Sequence, residues 1–116
     1  MRTVDRTAIG RRAEAAVSRF LVDKGYRIVG MNWRTRTCEI DIVARLEGTV
    51  YFVEVKYRKS DKNGMSLEYV DQRKIKQMKF AASQWCYQNQ WKGQRCLSVA
   101  GVSGDNLDVE YIENVY

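Results

Sequence analysis

Apolar residues recur along the chain in two rhythms, one helical and one extended. Ala13, Ala16, Val17, Phe20 and Leu21 follow i, i+3, i+4, i+7, i+8 spacing, which predicts an amphipathic helix over residues 8–24, closed by Gly25. Glu14 falls near Leu21 on the margin of that stripe, half turned toward the core. Residues 26–34 are rich in β-branched and aromatic side chains and predict a first strand, with Gly30 as a loose point. Residues 39–44 alternate, setting Glu39, Asp41 and Val43 against Ile40, Ile42 and Ala44 on the opposite face. Glu47-Gly48 is a turn signal, and residues 49–57 form the most strand-like segment of the chain. There Val50, Phe52, Glu54 and Lys56 share one face, and Tyr51, Val53, Val55 and Tyr57 the other.

Residues 58–66 are polar and contain Asn63-Gly64, the pattern of an exposed loop placed to close over a substrate. Asp71 is the expected N-cap of a second helix, whose stripe of Ile75, Met78, Ala82, Trp85 and Cys86 runs to about Asn89. Residues 97–102 and 106–112 read as two closing strands joined by Ser103-Gly104-Asp105. The expected order is α-β-β-β-α-β-β: an α/β fold in which a mixed central sheet is flanked by helices. At 116 residues, without proline, repeat or linker-like composition, the chain is expected to form one domain over residues 1–116.

Composition narrows the chemistry. The chain has no histidine, so imidazole is excluded as base, nucleophile or ligand, and acid–base work falls to carboxylates and lysine. Cys38, Cys86 and Cys96 make an odd count without paired spacing, arguing against a disulfide framework or zinc cluster. No apolar run approaches membrane-spanning length and residues 1–30 lack a signal-peptide core, so no membrane association and a cytoplasmic location are expected.

The net charge of +6 is unevenly placed. Residues 1–36 hold nine Lys/Arg against three Asp/Glu, and residues 55–95 ten against three, while residues 37–54 hold one against four. An acidic patch inside a basic chain suits a cation-dependent phosphodiesterase, with carboxylates for the metal and Lys/Arg for the nucleic-acid backbone. A solvated basic surface is the plainer reading. Similarly, the cluster Arg73, Lys74, Lys76 and Lys79 on the second helix either tracks phosphates or solubilises the helix. The tryptophans and tyrosines are expected mainly in the core instead of stacking on bases.

Asp41 and, after twelve intervening residues, Glu54-Val55-Lys56 are the candidate chemistry. An acid, a spacer and Glu-x-Lys form a weak pattern in a chain with 29% charged residues. Their places on adjacent hairpin strands give it force, because such residues can lie about 5 Å apart. Two carboxylates and a backbone carbonyl, that of Val55, suit Mg²⁺, with Mn²⁺ as a substitute. Lys56 would orient or deprotonate the attacking water, and Glu14 would supply a third carboxylate, directly or through water. The competing reading is a cross-strand Asp41–Lys56 ion pair with Glu39 and Glu54 on a solvated face. Against it, Glu54 lies between Val53 and Val55, where uncompensated charge is costly.

These residues belong to a longer series: Gly10-Arg11-Arg12-Ala13-Glu14, Gly25-Tyr26, Asn32-Trp33-Arg34, Cys38-Glu39-Ile40-Asp41, Phe52-Val53-Glu54-Val55-Lys56-Tyr57-Arg58 and Val70-Asp71-Gln72-Arg73-Lys74. In this order they resemble the YraN family, bacterial proteins of the PD-(D/E)xK nuclease superfamily, over nearly the whole chain. The resemblance implies a restriction-endonuclease-like three-layer core similar to that of archaeal Holliday junction resolvases. It places Glu14, Asp41, Glu54 and Lys56 at the superfamily's catalytic positions, with Asp41, Glu54, Val55 and Glu14 as metal ligands. By the same analogy, Arg11, Arg12, Arg34, Arg58, Arg73 and Lys74 are candidates for phosphate contacts, and a homodimer is expected. The chain departs from the family at Ala13 and Cys38, where glycine is usual, and at Arg95-Cys96-Leu97, where Arg-Phe-Asp is usual. Ile40 stands where the superfamily name would have proline. None of these removes an expected ligand.

Two functions compete, ahead of a third in which the chain is an interaction protein whose acidic residues only stabilise the sheet. One is an Mg²⁺-dependent endonuclease acting on structured or branched DNA, with DNA favoured over RNA. The other is a nucleic-acid-binding protein that uses the same fold without turnover.

Overall fold

In a computed structural model the protein is described over residues 2–59 and 71–113, with side chains from residue 8 onward. The loop expected over 58–66 falls largely outside the described residues. The elements follow the expected order: α1 (Arg2–Asp23), β1 (Arg27–Arg34), β2 (Glu39–Leu46), β3 (Thr49–Arg58), α2 (Gln72–Gln88), β4 (Gln94–Ser103) and β5 (Asp108–Glu113).

α1 starts at Arg2, earlier than the expected residue 8, and no proline interrupts residues 2–9. It ends as expected. Gly25, at φ 100°, donates its N–H to the Val22 carbonyl, and the Tyr26 N–H reaches back to the Leu21 carbonyl, both at 3.0 Å. This pair of bonds satisfies the last carbonyls of the helix and turns the chain into β1. α2 begins at Asp71, whose Oδ1 accepts the Lys74 N–H at 2.9 Å, and closes on Asn89.

Among the described residues the strands form one five-stranded mixed sheet in the order β1-β2-β3-β4-β5. β1, β2 and β3 run antiparallel through short turns, with Glu47 at φ 55° in the two-residue β2–β3 connection. β3 and β4 are parallel, so α2 is the crossover between them. The last turn falls later than expected. Gly104 and Leu107 take φ values of 74° and 55°, and the Leu107 N–H donates to the Gly104 carbonyl at 3.3 Å, which delays β5 to Asp108.

Each helix covers one face of the sheet. Ala13, Val17 and Leu21 of α1 pack on Ile42, Ala44, Val53, Ala100 and Val102. Ile75, Met78, Ala81, Ala82, Trp85 and Cys86 of α2 pack on Val43, Val50, Phe52, Leu97 and Val99. The Trp85 and Phe52 rings meet edge to face, with centroids 5.6 Å apart. The alternation expected in β3 holds: Val50 and Phe52 face α2, while Tyr51, Val53, Val55 and Tyr57 face α1. In β2 it holds at residues 42–44 and fails at Ile40, which joins the α2 cluster instead of lying with Ile42 and Ala44. Cys86 and Cys96 are buried and Cys38 is partly buried, all three as thiols outside any disulfide.

Candidate functional site

The break in alternation coincides with a fork in the sheet. The β2–β3 ladder ends at the pair Ile42–Val53. Beyond it β2 stays with β1 as far as Glu39–Arg34, and β3 stays with β4 as far as Arg58–Ser103. The next pair in that register would be Asp41 opposite Glu54. With the ladder open there, backbone N–H groups of β3 lose their strand partners. Asp41 supplies one: its Oδ2 accepts the Val55 N–H at 2.8 Å.

Carboxylates from three elements surround this fork. Asp41 feels the negative charges of Glu54, Glu14 and Glu39, and burial together with the nearby Glu54 raises its pKa to about 6, against the lowering effect of the Val55 hydrogen bond. Glu14, on α1, is held from β1: its Oε1 accepts from Asn32 Nδ2 at 3.0 Å. Asn32 itself has φ 52°, a conformation that asparagine tolerates better than most residues.

Glu54 is nearly buried, with its side chain 16% exposed, and carries two cations. Lys74 Nζ lies 3.1 Å from its Oε2, and Lys56 Nζ lies 3.5 Å from the same oxygen. The pairing expected under the alternative reading, Asp41 with Lys56, is replaced by Lys56 with Glu54. Lys74 lies in the first turn of α2, where the Asp71 cap accepts its backbone N–H.

An open groove of about 630 Å³ runs between the start of β2 and α2, with Cys38, Glu39, Asp41, Glu54, Lys74 and Phe80 among its walls. The fork brings together Asp41, Glu54 and Lys56, with Glu14 close enough to act on Asp41 through its charge. Of the expected phosphate-binding residues, Lys74 sits at the carboxylates and Arg34 lies 3.8 Å from Glu39. Arg11 and Arg12 are exposed on α1 one turn and half a turn before Glu14, Arg73 is exposed on α2, and Arg58 is half-buried at the end of β3.

The sequence reading overlooked three contributions: Glu39 in the groove wall, Lys74 as a partner of Glu54, and Asn32 as the holder of Glu14. Asn32 alone carried a local signal, since asparagine is disfavoured within a strand unless the backbone departs from it.

Asp41 and Glu54 carry the hard oxygen donors that a small divalent cation takes. Among the described residues no three Asp, Glu or Cys side chains form a ready-made cage. Two carboxylates, Asp41 and Glu54, plus the Val55 carbonyl would leave coordination positions for water and phosphate oxygens, the arrangement Mg²⁺ commonly takes. The raised Asp41 pKa reflects burial first and then the negative charge of Glu54, which such a cation would offset.

The model of the Uncharacterised protein family UPF0102 matches residues 13–109, which include the fork, both helices' buried faces and the groove. Similar proteins include a UPF0102 protein of Desulfosudis oleivorans, 36% identical over 112 residues, covering 96% of this chain and 91% of the relative. One from Cytophaga hutchinsonii is 33% identical over 94 residues, covering 81% and 83% respectively. A third, from Paenarthrobacter aurescens, is 42% identical over 87 residues, covering 75% and 72%. With one family matched over the candidate site and relatives this similar over most of their length, the chain belongs to UPF0102, the YraN family.

Proposed function

We propose that the protein is an Mg²⁺-dependent endonuclease that hydrolyses phosphodiester bonds of structured or branched DNA. The observation that carries this reading is the fork at Ile42–Val53, beyond which the half-buried Asp41 and Glu54 stand on separated strands beside Lys56. Membership of the YraN family, with its resemblance to PD-(D/E)xK nucleases, supports it.

A divalent cation held by Asp41, Glu54 and the Val55 carbonyl would polarise the scissile phosphate and make a bound water more acidic. Asp41, whose Oδ2 is oriented by the Val55 N–H, would supply carboxylate oxygen to that cation. Lys56, 43% exposed, extends from the same strand as Glu54 and would orient the attacking water or take its proton. Glu14, positioned by Asn32, adds negative charge on the α1 side and strengthens cation binding. Arg11, Arg12, Arg34, Arg58 and Arg73 supply the basic surroundings that attract a phosphate backbone.

The test is a panel of duplex, single-stranded, flapped and four-way DNA incubated with Mg²⁺ or Mn²⁺. Cutting of at least one substrate, abolished by Asp41→Ala and by Glu54→Ala, is the expected result. Absence of metal-dependent cutting across the panel sinks the enzyme reading. One observation favours the second reading, binding without turnover: Glu54 is already paired with Lys74 at 3.1 Å. Salt-sensitive DNA binding without cleavage would support it.

A further inference from the structure

Phe80 of α2 lines the carboxylate groove and is 48% exposed. Two helical turns on, Tyr87 is 83% exposed and lines a second groove of about 890 Å³ with Trp91, Lys92 and Arg95. Seven residues at about 100° each bring the two rings within about 20° of one another around α2 and about 10 Å apart along it. The core-facing positions of α2 are filled by Ile75, Met78, Ala82 and Trp85, so both rings stand on a different face. The close ring pairs of the described residues are Phe20–Tyr111, Tyr26–Tyr51, Tyr26–Tyr111 and Phe52–Trp85, and neither Phe80 nor Tyr87 belongs to one.

Charge on the same stretch has one sign. From residue 72 to residue 104 the sequence carries Arg73, Lys74, Lys76, Lys79, Lys92 and Arg95, and no Asp or Glu. Lys76 lies one turn before Phe80, and Lys92 and Arg95 border Tyr87 in the second groove. Exposed rings interleaved with cations complement a polyanion whose flat bases are free to stack. A duplex does not offer such faces, because its bases are stacked on each other. The spacing of about 10 Å suits a few nucleotides of an extended strand.

We infer that the exposed face of α2 is a track for single-stranded nucleic acid. Bases stack on Phe80 and Tyr87, the backbone follows Lys76, Lys92 and Arg95, and an unpaired segment is led into the groove of Asp41 and Glu54. The delivery step rests on the proposed nuclease reading; the track itself does not. It narrows the substrate to nucleic acid with an unpaired stretch beside the cut.

The test is fluorescence anisotropy with the whole protein, labelled oligothymidylate and a blunt duplex of equal length, in EDTA so that binding is read without cleavage. The single strand is expected to bind more tightly than the duplex. Phe80→Ala and Tyr87→Ala should each weaken single-strand binding about five- to a hundredfold and leave duplex binding unchanged. Phe80→Tyr and Tyr87→Phe should retain it, and Phe80→Leu, which keeps apolar bulk without a flat ring, should lose it. Melting temperatures of all variants are measured alongside. No single-strand binding, no preference over duplex, or equal binding by Phe80→Leu and Phe80→Tyr overturns the inference. A change from dimer to monomer in Phe80→Ala without a change in DNA binding also overturns it, assigning the face to a second copy. Because no divalent cation is present, these results are independent of whether the protein cuts DNA.

Discussion

Lys74 Nζ stands 3.1 Å from Glu54 Oε2, closer than Lys56, which approaches the same oxygen to 3.5 Å. The lysine of the strand motif is therefore not the nearer cation at the candidate site. Lys74, 31% exposed, comes from a helix that lies far from Glu54 in sequence and partly neutralises a carboxylate that is only 16% exposed.

Removing Lys74 should have opposite effects on stability and on metal binding. In EDTA, Lys74→Ala leaves Glu54 with Lys56 alone, a loss of about 1 kcal/mol for a partly shielded ion pair, or about 4 °C in Tm. Mg²⁺ then no longer competes with the ammonium, so its affinity in isothermal titration calorimetry should rise. A variant with unchanged affinity would show that Lys74 and the cation do not share Glu54.

Asp41 predicts an inverted pH dependence of stability in metal-free protein. Its carboxyl has an ordinary pKa of 3.8 unfolded and about 6 folded, so between these values the folded chain binds the extra proton. The stabilisation from this group is full below about pH 4, declines as pH rises to about 6, and is absent above, a range of about 3 kcal/mol. Asp41→Asn keeps an acceptor for the Val55 N–H and removes the charge. Its melting temperature should exceed that of the parent at pH 8 and match it near pH 4, by calorimetry in EDTA. A parent protein whose Asp41 contribution grows with pH contradicts the buried, like-charged environment.

Much of this arrangement was legible in the sequence. Helical and alternating spacing located both helices and all five strands, and the turn at Glu47-Gly48 placed Asp41 and Glu54 on partnered strands. Ile40 was misassigned because strict alternation assumes a continuing ladder, whereas the ladder ends one residue after Asp41. Glu39 is solvated, as the competing reading has it, and lines the open groove as well. Lys74 could not be matched to Glu54, since a local pattern gives the face of a helix but not which strand end it crosses.

Asn32 combines a left-handed backbone, φ 52°, with a 3.0 Å hydrogen bond to Glu14. Two substitutions separate these roles. Asn32→Gly keeps the backbone geometry accessible and loses the bond, at a cost of about 0.5–1.5 kcal/mol. Asn32→Ala loses the bond and adds left-handed strain of about 1 kcal/mol, so it should be the less stable of the two in urea unfolding. Equal stabilities would mean that β1 relaxes out of this conformation.

Lys56 and Asp41 should fail differently if the site turns over. Asp41 provides oxygen to the cation and accepts from the backbone at the fork, so Asp41→Ala should lose both metal binding and cleavage. Lys56 lies 3.5 Å from Glu54 Oε2 and provides no oxygen, so its removal leaves the ligand set whole. Lys56→Gln should therefore bind Mn²⁺ at least as tightly as the parent by calorimetry, while single-turnover cleavage falls about a hundredfold or more through loss of proton transfer and water orientation. The pH profile sharpens the distinction. If Lys56 takes the proton, the parent rate rises with pH in a step that Lys56→Gln abolishes; if it only orients the water, the step survives in the slower variant. Unchanged cleavage in Lys56→Gln would transfer the role to Lys74, the nearer ammonium at Glu54.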